Sequence, residues 1–233
     1  SIRIWDVKSR REIAQLYEHL ARIWSVEFSP DGRFFASASD DYTVKIWQVR
    51  DSNLYRTLIG HEALVKSVSF SHDSRYVATA SSDKTVKIWD VISGELLSTL
   101  EGHNSSVKTA VFSRDDKLVA SGGFDNIIKI WDWRKGLHSY SLSGHENDIN
   151  SLNFDPSGSR LVSGSPDGTI RIWDMSSKNL LLRIANLPQG EWMIFPEDNL
   201  FYTASKNAEQ FASLRFRKKL DKVVSLEKYR KQL

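Results

Sequence analysis

Five tryptophans, Trp5, Trp47, Trp89, Trp131 and Trp173, stand 42 residues apart at every step. Each sits in nearly the same hexapeptide: SIRIWD, TVKIWQ, TVKIWD, IIKIWD and TIRIWD. A period of this length, held this strictly, means that one supersecondary unit is copied along the chain. Copied units stack into a continuous surface, so the spacing constrains architecture far more than chemistry.

Within residues 61–102, "LVKSVSF" (64–70), "YVATAS" (76–81), "TVKIWDV" (85–91) and "LLSTL" (96–100) are short β-rich runs. The segments between them, "SHDS", "SDK" and "ISGE", have turn-forming composition. Two other units place Pro, Asp and Gly between their first and second strands, where chain reversal needs those backbone angles. Four short strands joined this way make an antiparallel meander. Apolar residues on both faces of the inner strands, as in "SVSF" and "VATA", fit sheets sandwiched between neighbours. The prediction is an all-β chain, a β-propeller of four-stranded antiparallel blades.

These features resemble the WD-repeat family. Gly60-His61, Gly102-His103 and Gly144-His145 match its Gly-His pair, while Trp5-Asp6, Trp89-Asp90, Trp131-Asp132 and Trp173-Asp174 match its Trp-Asp pair. Glu18 stands in place of glycine before His19, and Gln48 in place of aspartate after Trp47. The resemblance covers residues 1 to about 185 and implies the following division. Residues 1–18 form the second half of a blade; 19–60, 61–102, 103–144 and 145–186 are full repeats. Residues 187–219 form a degenerate terminal blade, and 220–233 a basic tail. The opening serine, placed inside a repeat, is read as the start of a fragment. An incomplete arc, part of a larger and often seven-bladed ring, is expected over a closed small ring.

Each full unit carries histidine, a hydroxyl 18 residues later, aspartate four beyond that, and tryptophan six further on. The sets are His19, Ser37, Asp41, Trp47; His61, Thr79, Asp83, Trp89; His103, Ser121, Asp125, Trp131; and His145, Ser163, Asp167, Trp173. Taken singly, Ser-His-Asp invites a hydrolase reading. Four copies argue against it, because an enzyme needs one triad. The resemblance implies a buried hydrogen-bonded tetrad instead, running from aspartate through imidazole and hydroxyl to the indole N–H. No catalytic residue, cofactor or metal is expected. The four histidines fall on separate blades, and His72 and His138 have no companions at ligand spacing.

In this family the partner-binding rim lies on the loop entering each blade and on the turn between its second and third strands. By register, its free positions are the third and fifth residues after the histidine and the residue before the turn aspartate. They are Arg22, Trp24 and Asp40; Leu64, Lys66 and Ser82; Ser106, Lys108 and Phe124; and Asp148, Asn150 and Pro166. Arg22 and Trp24 belong to residue types enriched in binding hot spots, and Phe124 supplies another aromatic anchor. The plain alternative is that Trp24 packs under a loop and Phe124 fills a gap between blades.

Charge narrows the partners. The formal charge of +3 conceals a basic tail: residues 215–233 hold eight Lys and Arg against Asp221 and Glu227, or +6, leaving −3 for the rest. A slightly acidic propeller argues against a nucleic-acid face. The tail, "KKLDKVVSLEKYRKQL" (218–233), reads as a charged helix or solvated end with no aromatic platform. With no cysteine, disulfides and thiolate sites are excluded. No apolar run approaches the roughly 18–20 residues that span a bilayer, and the opening residues, which lack a charged-then-apolar pattern, raise no expectation of secretion. The expected function is therefore a non-enzymatic scaffold that binds other proteins or peptides, with no membrane partner, in the cytoplasm or nucleus. The alternative is a regulatory or targeting segment of a larger signalling enzyme, such as a kinase or protease with appended repeats.

Overall fold

The computed structural model describes residues 1–196 and 203–205. Strands β1 (Ile2–Asp6) and β2 (Arg11–Leu16) form a two-stranded sheet. Four-stranded antiparallel meanders follow. The first holds β3 (Ile23–Phe28), β4 (Phe34–Ser39), β5 (Thr43–Gln48) and β6 (Leu54–Ile59); the second holds β7 (Val65–Phe70), β8 (Tyr76–Ser81), β9 (Val86–Asp90) and β10 (Leu96–Leu100). The third comprises β11 (Val107–Phe112), β12 (Leu118–Gly123), β13 (Ile127–Asp132) and β14 (Leu137–Ser143). The last begins with β15 (Ser151–Phe154), β16 (Arg160–Ser165), β17 (Thr169–Asp174) and β18 (Leu180–Asn186). The described residues are all-β, with sheets of the form of propeller blades and, among them, one short 3₁₀ turn, Pro188–Gly190.

The core lies between sheets, which is why both faces of the inner strands are apolar. Ala36, Ala38, Val44 and Ile46 of β4 and β5 pack with Val68 and Phe70 of β7. The layer repeats one sheet on: Ala78, Ala80, Val86 and Ile88 meet Ala110 and Phe112, then Ala120, Ile128 and Ile130 meet Leu152. Small residues on each second strand let the next sheet approach closely, while β-branched residues on the third fill the space between. Burying one such Val, Ile or Phe contributes about 1.5–3 kcal/mol. Beside the two-stranded sheet the layer is thinner. There Ile2, Ile4 and Leu16 pack on Phe35 and Trp47, but Val26 and Phe28 of β3 remain exposed.

The last sheet departs from the expected separate blade over 187–219. Strand β19 (Trp192–Pro196) pairs antiparallel with β18, from Asn186↔Trp192 to Leu182↔Pro196, and β20 (Thr203–Ala204) pairs with β19. The two extend the β15–β18 sheet to six strands. The cause is local: the short turn at Pro188–Gly190 folds the chain back on β18 as a hairpin, with Gln189 at φ 65° and Gly190 at φ 78°. Leu187 and Met193 are buried there. The sequence of that expected blade also reads as a turn at 196–199 and a third strand at 208–216; of these, Pro196 ends β19, and the rest, with the 220–233 tail, lies outside the described residues.

Candidate functional site

In every full blade the histidine on the entering loop lies among the aspartate, hydroxyl and tryptophan assigned to its set. His19 Nδ1 lies 2.7 Å from Asp41 Oδ2 and its Nε2 2.7 Å from Ser37 Oγ, while Trp47 Nε1 donates to Ser37 Oγ at 2.9 Å. His61, Asp83, Thr79 and Trp89 repeat this at 2.6, 2.7 and 2.9 Å. His103, Asp125, Ser121 and Trp131 give 2.7, 2.7 and 2.7 Å. His145, Asp167, Ser163 and Trp173 give 2.7, 2.7 and 2.9 Å.

One proton arrangement satisfies the whole chain: Nδ1–H donates to carboxylate, hydroxyl O–H donates to Nε2, and indole N–H donates to the hydroxyl oxygen. It requires a neutral imidazole. Burial accordingly lowers the pKa of His19 and His145, against the opposing pull of Asp41 and Asp167. The glycine preceding the histidine serves the same unit, since a Cβ on Gly60 would meet the Trp89 ring at 3.0 Å.

A fifth member of the set was legible but unassigned. Thr43, Thr85 and Thr169, two residues after the aspartate, each donate both backbone N–H and hydroxyl to its Oδ1. Leu20, Glu62 and Glu146 add a backbone N–H to Oδ2. Burial would raise the Asp41 carboxyl, but the bonds from Thr43 and His19 outweigh it and hold it at about 2. Asp167 is held at about 2 in the same way by Thr169 and His145, and Asp83 is held low by His61 and Thr85. The third blade has Ile127 in place of threonine, so Asp125 receives only its backbone N–H there, at 3.3 Å. The signal was the recurring threonine that opens TVKIW and TIRIW.

Asp41, Asp83 and Asp167 each accept four hydrogen bonds and Asp125 three, and every tetrad hydroxyl lies between an imidazole and an indole. Each tetrad is built to hold its entering loop to its sheet. Among the described residues no group of three His, Asp or Glu could hold a metal ion, and no helix is long and apolar enough to cross a membrane. His72 meets Asp116 at 3.0 Å, and His138 packs edge-on against Trp131.

The rim positions fall into two clusters joined by a hydroxyl bridge. In the first, Trp24 Nε1 donates to Asp40, and Lys66 from the next blade reaches back to Asp40 at 3.3 Å. Lys66 Nζ lies 3.8 Å from the Trp24 ring centroid, and the Arg22 guanidinium carbon 4.9 Å. In the second, Lys108 Nζ lies 4.2 Å from the Phe124 ring and donates to Asp148 and Asn150, both at 2.8 Å. Between them, Ser106 Oγ donates to Ser82 Oγ at 2.9 Å beside half-buried Leu64.

Backbone bonds pair the two columns: Asp40 N–H to Arg22 O, Ser82 N–H to Leu64 O, and Phe124 N–H to Ser106 O. Pro166, with no N–H, cannot make the fourth bond and stands exposed. Trp24 and Phe124 are 46% and 48% exposed, so neither is packed away under a loop or between blades.

The family description "WD domain, G-beta repeat" matches residues 10–48, 52–90, 94–132 and 136–174. The chain belongs to the WD-repeat family. Each matched unit straddles two sheets, taking β2, β6, β10 or β14 together with the first three strands of the following blade. WD repeats generally mediate binding to other proteins. Apoptotic protease-activating factor 1 of Mus musculus and that of Rattus norvegicus are each 41% identical to this WD-repeat chain over 44 residues, 19% of its length. Those residues make up 4% of either relative.

Proposed function

We propose that this chain is a non-enzymatic scaffold that docks other proteins or peptides, and so assembles complexes, through the rim formed by the loops entering the blades. The observation that carries this reading is the pair of half-exposed aromatics, Trp24 and Phe124, each fixed by a lysine over its ring with a carboxylate beside it. Rings held in place this way lose little conformational entropy on binding, which favours them as anchors. The remaining rim members, Leu64, Ser82, Ser106, Asn150 and Pro166, would provide shape and hydrogen bonding between and beside the anchors. The tetrads would act as supports, and the site needs no cofactor.

The test is affinity capture with mass spectrometry, comparing the wild-type chain with Trp24→Ala/Phe124→Ala. A folded double variant that loses the wild-type partners supports the rim; one that keeps them all places docking elsewhere. A second reading makes the chain a regulatory or targeting segment of a larger signalling enzyme, and the short likeness to a much longer relative named for protease activation favours it. The open reading frame around these residues decides between the two. Either reading places the chain in the cytoplasm or nucleus, where fluorescence microscopy of a tagged full-length protein would find it.

A further inference from the structure

Three cations lie on the rim, and two of them are already matched. Lys66 is held by Asp40 and Lys108 by Asp148 and Asn150. Arg22 is different. Its guanidinium lies over the Trp24 ring, and no side-chain N–H of Arg22 finds an acceptor among the described residues. Asp40, the rim carboxylate beside the Trp24 ring, takes the Trp24 indole N–H and Lys66 on one oxygen, Oδ1, and no Arg22 N–H reaches either of its oxygens. The unfilled valence on this part of the rim is therefore a planar, exposed set of donors, pre-oriented by an aromatic face. Such a fork matches the two oxygens of a carboxylate.

The loop holding Arg22 also departs from its copies next to the histidine. That position is Glu62, Asn104 and Glu146 in the other blades, but Leu20 here. Leu20 is 92% exposed, and its backbone N–H donates to Asp41 at 3.0 Å, which ties the loop there to the tetrad. An apolar side chain thus stands in water two residues from an unmatched guanidinium, on a loop anchored by a tetrad.

Resting on the rim reading above, we propose that Leu20, Arg22 and Trp24 receive an acidic peptide segment. A carboxylate of that segment sits on the Arg22 guanidinium, and an apolar side chain beside it packs on Leu20 and the uncovered part of Trp24. A charge-assisted pair of this kind is worth about tenfold or more in affinity.

The test is fluorescence anisotropy with a labelled synthetic peptide carrying two leucines among four glutamates, titrated with the full chain at low and physiological salt. Arg22→Ala is expected to weaken binding about tenfold or more. Arg22→Lys should recover only part of it, since a point charge cannot make the bidentate contact. Leu20→Ser should weaken binding of this peptide several-fold, while leaving a glutamate-serine version unaffected. Melting curves on each variant keep folding out of the comparison, and both Arg22 and Leu20 are exposed.

Absence of binding, or equal binding by Arg22→Ala, overturns the proposal. Loss in Phe124→Ala with no change in Arg22→Ala keeps the rim and removes the acidic segment. Loss only when Lys228, Arg230 and Lys231 are neutralised overturns both, because the basic tail is then the receptor. An Arg22-dependent preference of tenfold for a phosphoserine version reassigns the oxyanion and overturns the carboxylate. Stronger Arg22-dependent binding of an oligothymidine overturns the peptide.

Discussion

Asp116 Oδ1 accepts both the backbone N–H and the Nδ1–H of His72, at 2.9 and 3.0 Å, across the boundary between two blades. Asp116 Oδ2 takes the Asp73 N–H at 3.0 Å. The turn before β12 thus caps the turn before β8, and Ser74 does the same for Asp31 one blade earlier.

Asp116 is a non-glycine residue at φ 55°, in a column where Gly32 and Gly158 also stand. Relief of that backbone conformation by Asp116→Gly is worth on the order of 1 kcal/mol. Loss of three partly buried bonds costs about 1–3 kcal/mol each where a donor is left unpaired, so the bonds win. The expected order of unfolding midpoints is wild type, then Asp116→Asn, which tolerates the conformation and keeps one acceptor, then Asp116→Gly. A glycine variant as stable as wild type would show that the inter-blade cap contributes nothing.

Removal of a tetrad carboxylate leaves several donors behind. In Asp83→Ala, the His61 Nδ1–H, the Thr85 hydroxyl and the N–H groups of Glu62 and Thr85 all lose their acceptor. The expected loss is roughly 2–4 kcal/mol, read as a drop in the denaturant midpoint. Asp125→Ala should cost less, since Asp125 accepts fewer bonds. Equal losses at the two positions would mean that the threonine bonds carry no weight.

The same asymmetry predicts a stabilising change. Ile127→Thr would give Asp125 the hydroxyl bond that Asp41, Asp83 and Asp167 have. A bond to a charged group contributes about 1.5–3 kcal/mol, and the half-buried isoleucine gives up about 1–2 kcal/mol of apolar burial. A net gain of about 0.5–1 kcal/mol is expected in urea melts, with Thr85→Val losing a comparable amount. Destabilisation by Ile127→Thr would mean that burial outweighs the bond.

What the sequence made legible was whatever recurred. His61, Thr79, Asp83 and Trp89 could be placed in one set because three other sets share their spacing. The Thr85 column was visible in the same way, although its hydroxyl was read only as part of a strand. Contacts that occur once left no such trace. The spacing of 44 between His72 and Asp116 does not recur, because Pro30, one blade earlier, has no N–H to give Ser74, and Gly158, one blade later, has no side chain to accept. The pairing of β19 with β18 was hidden for a related reason. The repeat assigns residues 187–219 to a new blade, whereas a hairpin at Gln189 and Gly190 places Trp192–Pro196 on the old one. Lys66 reaching back to Asp40, and Lys108 forward to Asp148, depends on side-chain direction, which the columns do not encode.

Acid should weaken the fold in two stages. His19 and His145 have lowered pKa values because burial disfavours the imidazolium. Below about 6.5, where a free imidazole gains its proton, the unfolded chain binds protons that the folded chain refuses, so stability falls as pH falls. The tetrad carboxylates act further down. Asp41 and Asp167 are held at about 2 in the fold, against an ordinary 3.8, so their contribution is complete above 3.8 and is lost as pH drops toward 2. Glu27 has the opposite sign. Burial raises its pKa although Phe70 N–H and Ser69 Oγ donate to it, so its contribution is complete below 4.5 and fades as pH rises through its folded value. Three histidines, His19, His138 and His145, and the tetrad carboxylates, all held low, outnumber that single group. Thermal midpoints should therefore decline from pH 7.5 to 5.5 and more steeply below 4. Replacing His19 and His145 with glutamine should reduce the first stage, leaving the part carried by His138, whose pKa burial also lowers, and leave the second. A midpoint unchanged between pH 7.5 and 5.5 in the wild-type chain would contradict the neutral-imidazole arrangement.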